Sequence, residues 1–178
     1  MLCPKCRNTR LQPTKIETGL PAMGCPSCDG CCLSLLYFRD WAERNDPPVA
    51  EAEVNAEVVS EADAKTALSC PKCSKIMTKF SVSGEIDSRI DLCGSCDEAW
   101  LDGGEWQLLK SLELAHKLPG VFTEQWQRRV RNEKTALLKR ERLQQRVGEA
   151  DTARAVETKA WLTDHPERAT LLHFLGSD

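Results

Sequence analysis

The chain has 178 residues, ten of them cysteine, and a formal net charge of −3. Hydrophobic residues make up 41% and aromatic residues 6%, enough for one modest domain or two small ones and too little for a large enzyme core. No apolar stretch approaches the roughly 18–20 residues of a membrane span, and the start Met1-Leu2-Cys3-Pro4 lacks the basic and apolar regions of a secretory signal, so a cytoplasmic, reducing setting is expected.

Eight of the ten cysteines fall into four C-x-x-C pairs: Cys3/Cys6, Cys25/Cys28, Cys70/Cys73 and Cys93/Cys96. The gap between the first two pairs holds 18 residues (7–24), that between the last two holds 19 (74–92), and 41 residues (29–69) lie between the two units. C-x2-C, then 15–20 residues, then C-x2-C is the spacing of a four-cysteine zinc site. Each C-x-x-C turn presents two thiolates on one side of a tight loop, and two such loops fill the four corners of a tetrahedral ion with Zn–S near 2.3 Å. Pro4, Pro26, Pro71 and Gly94 suit these turns. A site closed by four thiolates leaves no position for water, which makes it structural rather than catalytic.

Other chemistries fit less well. Thioredoxin-like redox motifs need a strand–turn–helix setting, whereas each pair here precedes short strand-like segments. Cys25, Cys28 and Cys31 repeat at intervals of three, but the fourth ligand of a bacterial ferredoxin run is missing. Disulfides belong to oxidising compartments. Cys31 and Cys32 are left over; Cys28-x-x-Cys31 is itself a C-x-x-C, but Cys25/Cys28 keeps the gap closest to that of the second unit.

In chain order, residues 1–41 form the first unit. Residues 42–69 carry seven acidic and two basic side chains, contain Pro47-Pro48, and read as an acidic, flexible or partly helical linker. Residues 70–103 form the second unit, with strands expected at 76–82 and 86–92 around a Ser83-Gly84 turn, and a third at 99–101. The expected fold class is small α+β: two zinc ribbons of three short antiparallel strands each, followed by a helical C-terminal arm at 104–178. Units this small have little core, so a structural zinc contributing about 10–16 kcal/mol of apparent free energy becomes folding energy.

The stretch from Cys70 to Glu105 reads CPKC, then 19 residues, then CGSCDEAWLDGGEW. It resembles the transcription factor IIB-type zinc finger of bacterial proteins, whose second knuckle is followed by a Trp-Leu-Asp, Gly-Glu signature, here Trp100, Leu101, Asp102, Gly104 and Glu105. The resemblance covers roughly 40 residues and implies zinc binding, a ribbon fold and a nucleic-acid-binding or transcription-related role. The first unit keeps the ligands and the gap but lacks the Asp, Gly-Glu part. Asp102 is expected to cap a helix starting near Gly104, with Glu105 in its first turn.

That helix is predicted over 104–118, with Trp106, Leu109 and Leu112 as contacts and Pro119-Gly120 as its stop. A longer helix follows at about 123–162, with a break expected near Gly148, and a short one at about 167–175. Phe122, Trp126, Val130, Leu137, Leu143 and Val147 fall on one stripe of the long helix. Arg128, Arg131, Lys134, Lys139, Arg142 and Arg146 fall mostly opposite, and 126–146 hold eight basic and two acidic residues. Such a face meets solvent, phosphates of DNA or RNA, an acidic partner, or an anionic membrane surface, while the stripe suits packing on the ribbons or pairing with a protein partner or a second copy. His116, His165 and His173 lie outside the cysteine units, and no nucleophile–base pattern or phosphate loop stands out, so no catalytic residue is expected. The expected cofactor is zinc at two structural sites: Cys3, Cys6, Cys25 and Cys28, then Cys70, Cys73, Cys93 and Cys96. The expected role is a nucleic-acid-associated accessory factor, with a protein–protein adaptor as the alternative.

Overall fold

The computed structural model describes residues 1–45 and 66–177. Most of the expected acidic linker, 46–65, lies outside the described residues. The chain divides into two compact units, Met1–Asn132 and Glu133–Asp178.

Unit one contains six short strands: β1 (Gln12–Glu17), β2 (Leu20–Gly24), β3 (Cys31–Ser34), β4 (Thr78–Ser81), β5 (Arg89–Leu92) and β6 (Glu98–Leu101). Three strands thus belong to each cysteine unit. β4 is shorter than the expected 76–82, because Ile76 is turned to solvent and bridges Ser69 instead, and β5 begins at Arg89 where 86–92 is expected. The loop beyond β4 is closed by the Val82 N–H donating to the Ser88 carbonyl at 3.1 Å.

Spacing alone does not reveal how the two sets join. All six strands form one antiparallel sheet in the order β1-β2-β3-β6-β5-β4. β3 and β6 pair over four residues each: Cys31 with Leu101, Cys32 with Trp100, Leu33 with Ala99 and Ser34 with Glu98.

The sheet sorts its side chains with the strand period of two. Cys31, Leu33, Ala99, Leu101 and Ile90 face a core covered by helices. Cys32 and Trp100 face the other way, into a cluster with the cysteines of the four C-x-x-C pairs, Leu11, Leu68 and Met77. A strand buried on both faces reads as a continuous apolar run. Residues 31–38, a strand followed by a helix, are accordingly apolar at every position but Ser34.

That helix, α1 (Leu35–Arg44), buries Leu35, Phe38 and Trp41 at helical spacing and extends past the expected end of the first unit at 41. α2 (Glu105–Ser111) buries Trp106, Leu108 and Leu109. Phe38, Trp41 and Trp106 pack with ring centroids 5.8–6.5 Å apart, and His116 stacks on Trp41 at 4.7 Å.

The single helix expected over 104–118 is not formed. Glu113 takes a left-handed φ of 57°. The Leu114 N–H then reaches the Leu109 carbonyl and the Glu113 N–H reaches that of Lys110, a Schellman ending with Leu109 and Leu114 both in the core. A 3₁₀ turn (Ala115–Lys117) leads into α3 (Leu118–Val121). Pro119 therefore lies in the first turn of a helix, where its missing N–H costs nothing, instead of ending one.

α4 (Glu124–Val147) follows, and the boundary between the two units falls within it. In its first turns Trp126 packs against the helix-covered core and Val130 is fully buried. Unit two continues with α5 (Glu149–Thr163) and α6 (Arg168–Leu175), and the break expected near Gly148 separates α4 from α5. Among its described residues, Thr152 and Leu162 are buried, whereas Trp161, Phe174 and Leu175 are exposed. No described helix is long and apolar enough to cross a membrane.

Candidate metal centre

Four turns with the same backbone geometry carry the ligand cysteines. In each, the residue after the second cysteine has a left-handed φ: Arg7 (64°), Asp29 (53°), Ser74 (63°) and Asp97 (53°). Its N–H donates to the carbonyl of the first cysteine, from Arg7 to Cys3, Asp29 to Cys25, Ser74 to Cys70 and Asp97 to Cys93. Aspartate tolerates that conformation better than most residues. Each turn is then tied to a strand or extended segment, as when the Cys25 N–H meets the Gly30 carbonyl at 2.8 Å and the Cys93 N–H meets that of Glu98 at 2.9 Å.

The result is two clusters. The sulfurs of Cys3, Cys6, Cys25 and Cys28 lie within 4.8 Å of one another, as do those of Cys70, Cys73, Cys93 and Cys96. Individual sulfur pairs are 3.7 Å (Cys3–Cys28) and 3.9 Å (Cys6–Cys25) apart in the first. They are 3.4–3.7 Å apart in the second. No disulfide is present; all ten thiols are free. A tetrahedral ion with metal–sulfur bonds near 2.3 Å spaces its ligands about 3.8 Å apart. Both clusters fit such an ion, and both are suited to metal binding.

The local electrostatics repeat between the clusters. Burial raises the Cys25 thiol, but N–H groups of Ser27 and Cys28 and the neighbouring sulfurs outweigh it and bring the pKa down to about 7. Cys93 behaves alike: burial raises it, and the Ser95 N–H with the sulfurs of Cys96 and Cys73 lowers it to about 7. Cys3, Cys28, Cys70 and Cys96 are raised, chiefly by burial. One thiol in each cluster is thus lowered, while burial resists ionisation of two of its neighbours. Four thiolates together need a cation.

Cys31 and Cys32 belong to neither cluster. Cys31 lies on the helix-covered face, where burial and then the charges of Glu105 and Asp102 push its pKa to about 12. Cys32 lies between the clusters; burial and then the charge of Glu98 push it up, and its thiol points at a Glu98 oxygen 3.7 Å away. Both are held as neutral, buried thiols.

Ion pairs lie beside both clusters, and one of them joins the two cysteine units. Lys5, in the first turn of the first unit, reaches Asp102 at the end of β6, at 3.6 Å. Lys72, at the matching place in the second unit, pairs with Glu98 at 2.6 Å. Asp102 does not cap a helix with its side chain as expected. Its carboxylate accepts from Trp100 Nε1 at 3.0 Å, while its backbone N–H donates to the Glu105 carboxylate at 2.8 Å. Glu105 also accepts from the Ser88 hydroxyl. The start of α2 is instead Gly104 at φ 86°, a conformation costly for any residue with a Cβ. The lysine–carboxylate pairs are not expected from sequence; the matched positions of Lys5 and Lys72 in the two first turns are the available signal.

None of the basic side chains of α4 belongs to either four-sulfur set. Arg128, Lys139, Arg142 and Arg146 are exposed, Lys134 is half-buried, and Arg131 pairs with Glu124 at 2.5 Å. Along the predicted stripe, Leu137 and Leu143 are half-buried and Val147 is exposed. The histidines join no cluster, and His165 Nδ1 accepts from the Glu167 N–H. No protein-family model, curated protein or solved structure matches the chain.

Proposed function

We propose that the chain is a zinc-binding double ribbon whose two structural zinc ions hold one six-stranded sheet, and that it acts as a nucleic-acid-associated or transcription-related accessory factor. The observation that carries the zinc reading is the pair of four-sulfur clusters, each within 4.8 Å. Four thiolates in a tetrahedral, closed set select zinc over magnesium, calcium or manganese, which prefer oxygen ligands. A set of four protein ligands is structural, so the reading assigns no catalytic residue. Metal analysis of the reduced protein tests it: about two zinc ions per chain are expected, and one or none overturns it.

The nucleic-acid part rests on the exposed cations of α4 and on the resemblance of 70–105 to transcription-related zinc fingers. Phosphate contacts of this kind make binding fall steeply with salt. A gel shift with duplex DNA and with RNA at low salt should show binding that weakens as salt rises, and weakens further in R128A/K139A/R142A/R146A. No shift at low salt overturns this part.

A protein–protein adaptor is the second reading, favoured by the exposed Trp161 (54%), Phe174 (75%) and Leu175 (60%) of unit two. A pull-down that recovers a stoichiometric partner, lost in W161A/F174A, supports it; a monomer recovering none counts against it.

A further inference from the structure

The geometry points to cooperative metal loading: filling either four-cysteine cluster raises the affinity of the other. This rests on the metal-binding reading above and adds a coupling between the two sites.

Independent ribbons would each fold around their own ion. Here the third strand of each is the neighbour of the other's third strand, joined over four register pairs. The cysteines of both sets, with Cys32 and Trp100 between them, line one buried cluster. Contacts also cross from one unit to the other's metal-bearing turn. Lys5, between the ligands Cys3 and Cys6, pairs with Asp102. A Cβ on Gly103 would lie 2.9 Å from the carbonyl oxygen of the ligand Cys28. Two residues beyond that ligand, a Cβ on Gly30 would lie 2.5 Å from the Trp100 ring. Glu98, which follows the second knuckle of the second unit, contacts Cys32 of the first and Lys72 of its own.

Metal binding supplies folding free energy to whatever folds with the site. When both sites hang from one sheet, the first ion orders β3 and β6 together. The second ion then meets turns already fixed, and it binds without the ordering cost borne by the first. Linkage makes the effect reciprocal, of the order of 10-fold or more in affinity.

Zinc titration of the reduced, metal-free 178-residue chain, followed by native mass spectrometry, reads the populations directly. At half saturation the metal-free and two-zinc forms should dominate, with the one-zinc form well below the half expected for independent, equal sites. A one-zinc form at or above the fraction set by the two sites' separately measured affinities (one half where these are equal) overturns the coupling. A second measurement uses C93S/C96S and a cobalt or zinc competition assay on the first cluster. Coupling predicts its affinity falls about 10-fold or more, whereas an unchanged affinity overturns it. A wild-type chain that takes up no zinc overturns the metal-binding reading itself, an outcome distinct from two ions binding independently.

Discussion

Cys32 and Trp100 lie opposite each other in the β3–β6 pair, and each stands four residues beyond the last cysteine of its own unit. The pairs on either side exchange equivalent positions, Cys31 with Leu101 and Leu33 with Ala99. A half-turn about this point therefore maps β3 onto β6, β2 onto β5 and β1 onto β4, and the sheet order is a palindrome of the two units. The side chains at the centre differ because space is shared. The Trp100 ring crosses to the first unit and lies over Gly30, and the small thiol of Cys32 completes the layer.

Substitution at Gly30 tests that shared space. A Cβ there would lie 2.5 Å from the Trp100 ring and 3.2 Å from the Leu101 carbonyl oxygen, and neither the buried ring nor the backbone can move freely. G30A should lower the stability of the metal-loaded protein by about 1–3 kcal/mol in urea unfolding. W100A should cost more, about 3–5 kcal/mol, through the cavity left at a fully buried ring. A G30A protein as stable as the parent would show that the close approach of the two units is relaxed in solution.

The two spare thiols give a sharp contrast with the ligands. C31A/C32A removes two buried sulfurs that belong to neither four-sulfur set. The double variant should retain about two zinc ions per chain and lose no more than about 1–3 kcal/mol of stability. C28A removes one sulfur of a closed set and should lower the zinc content measured by elemental analysis. Loss of zinc from C31A/C32A would show that Cys31 or Cys32 acts as a ligand.

The cysteine pattern makes the site legible from sequence alone, because a four-ligand metal site needs short, fixed turns and tolerates almost any sequence between them. The strands are legible for the same reason, since the gap is just long enough for a hairpin. The joining of β3 to β6 is not. Cys31, Cys32 and Leu33 are buried on both faces, so their alternation carries no polar signal, and the pairing partner lies 66–70 residues away in the chain. α1 is hidden in the sequence because its first residues continue the same apolar run. The helix after the second unit is shorter than its pattern suggests because Glu113, an ordinary residue in sequence, takes the left-handed position usually held by glycine.

Gln127 closes the outer edge of the sheet at β4. Its side-chain oxygen accepts from the Ser81 N–H at 3.1 Å, and its nitrogen donates to the Ser81 and Val121 carbonyls, both at 2.9 Å. Trp126 Nε1 adds a bond to the Val82 carbonyl at 3.1 Å. The amide thus stands in for a seventh strand and hides polar edge groups that otherwise invite pairing with another chain. Q127A should cost about 1–3 kcal/mol and speed hydrogen exchange at the Ser81 amide. Exchange at Ser81 as slow as in the parent would mean that the edge is protected by something other than Gln127.

Glu17 joins the end of β1 to α2 and gives the stability a defined acid dependence. Burial raises its pKa, but bonds from Lys110 Nζ at 2.5 Å and Trp106 Nε1 at 2.9 Å outweigh it and hold the carboxyl below its ordinary value of 4.5. The folded protein therefore keeps Glu17 ionised to lower pH than the unfolded chain does. Its contribution is present in full above about pH 4.5 and is lost as pH falls through the depressed folded value. Any metal released from the cysteine clusters in acid would be lost from the parent and from E17Q alike. The difference in unfolding free energy between the two should shrink as pH falls below about 4.5. A difference that stays level through that window would place the link between β1 and α2 in the Trp106 and Lys110 contacts themselves, independent of charge on Glu17.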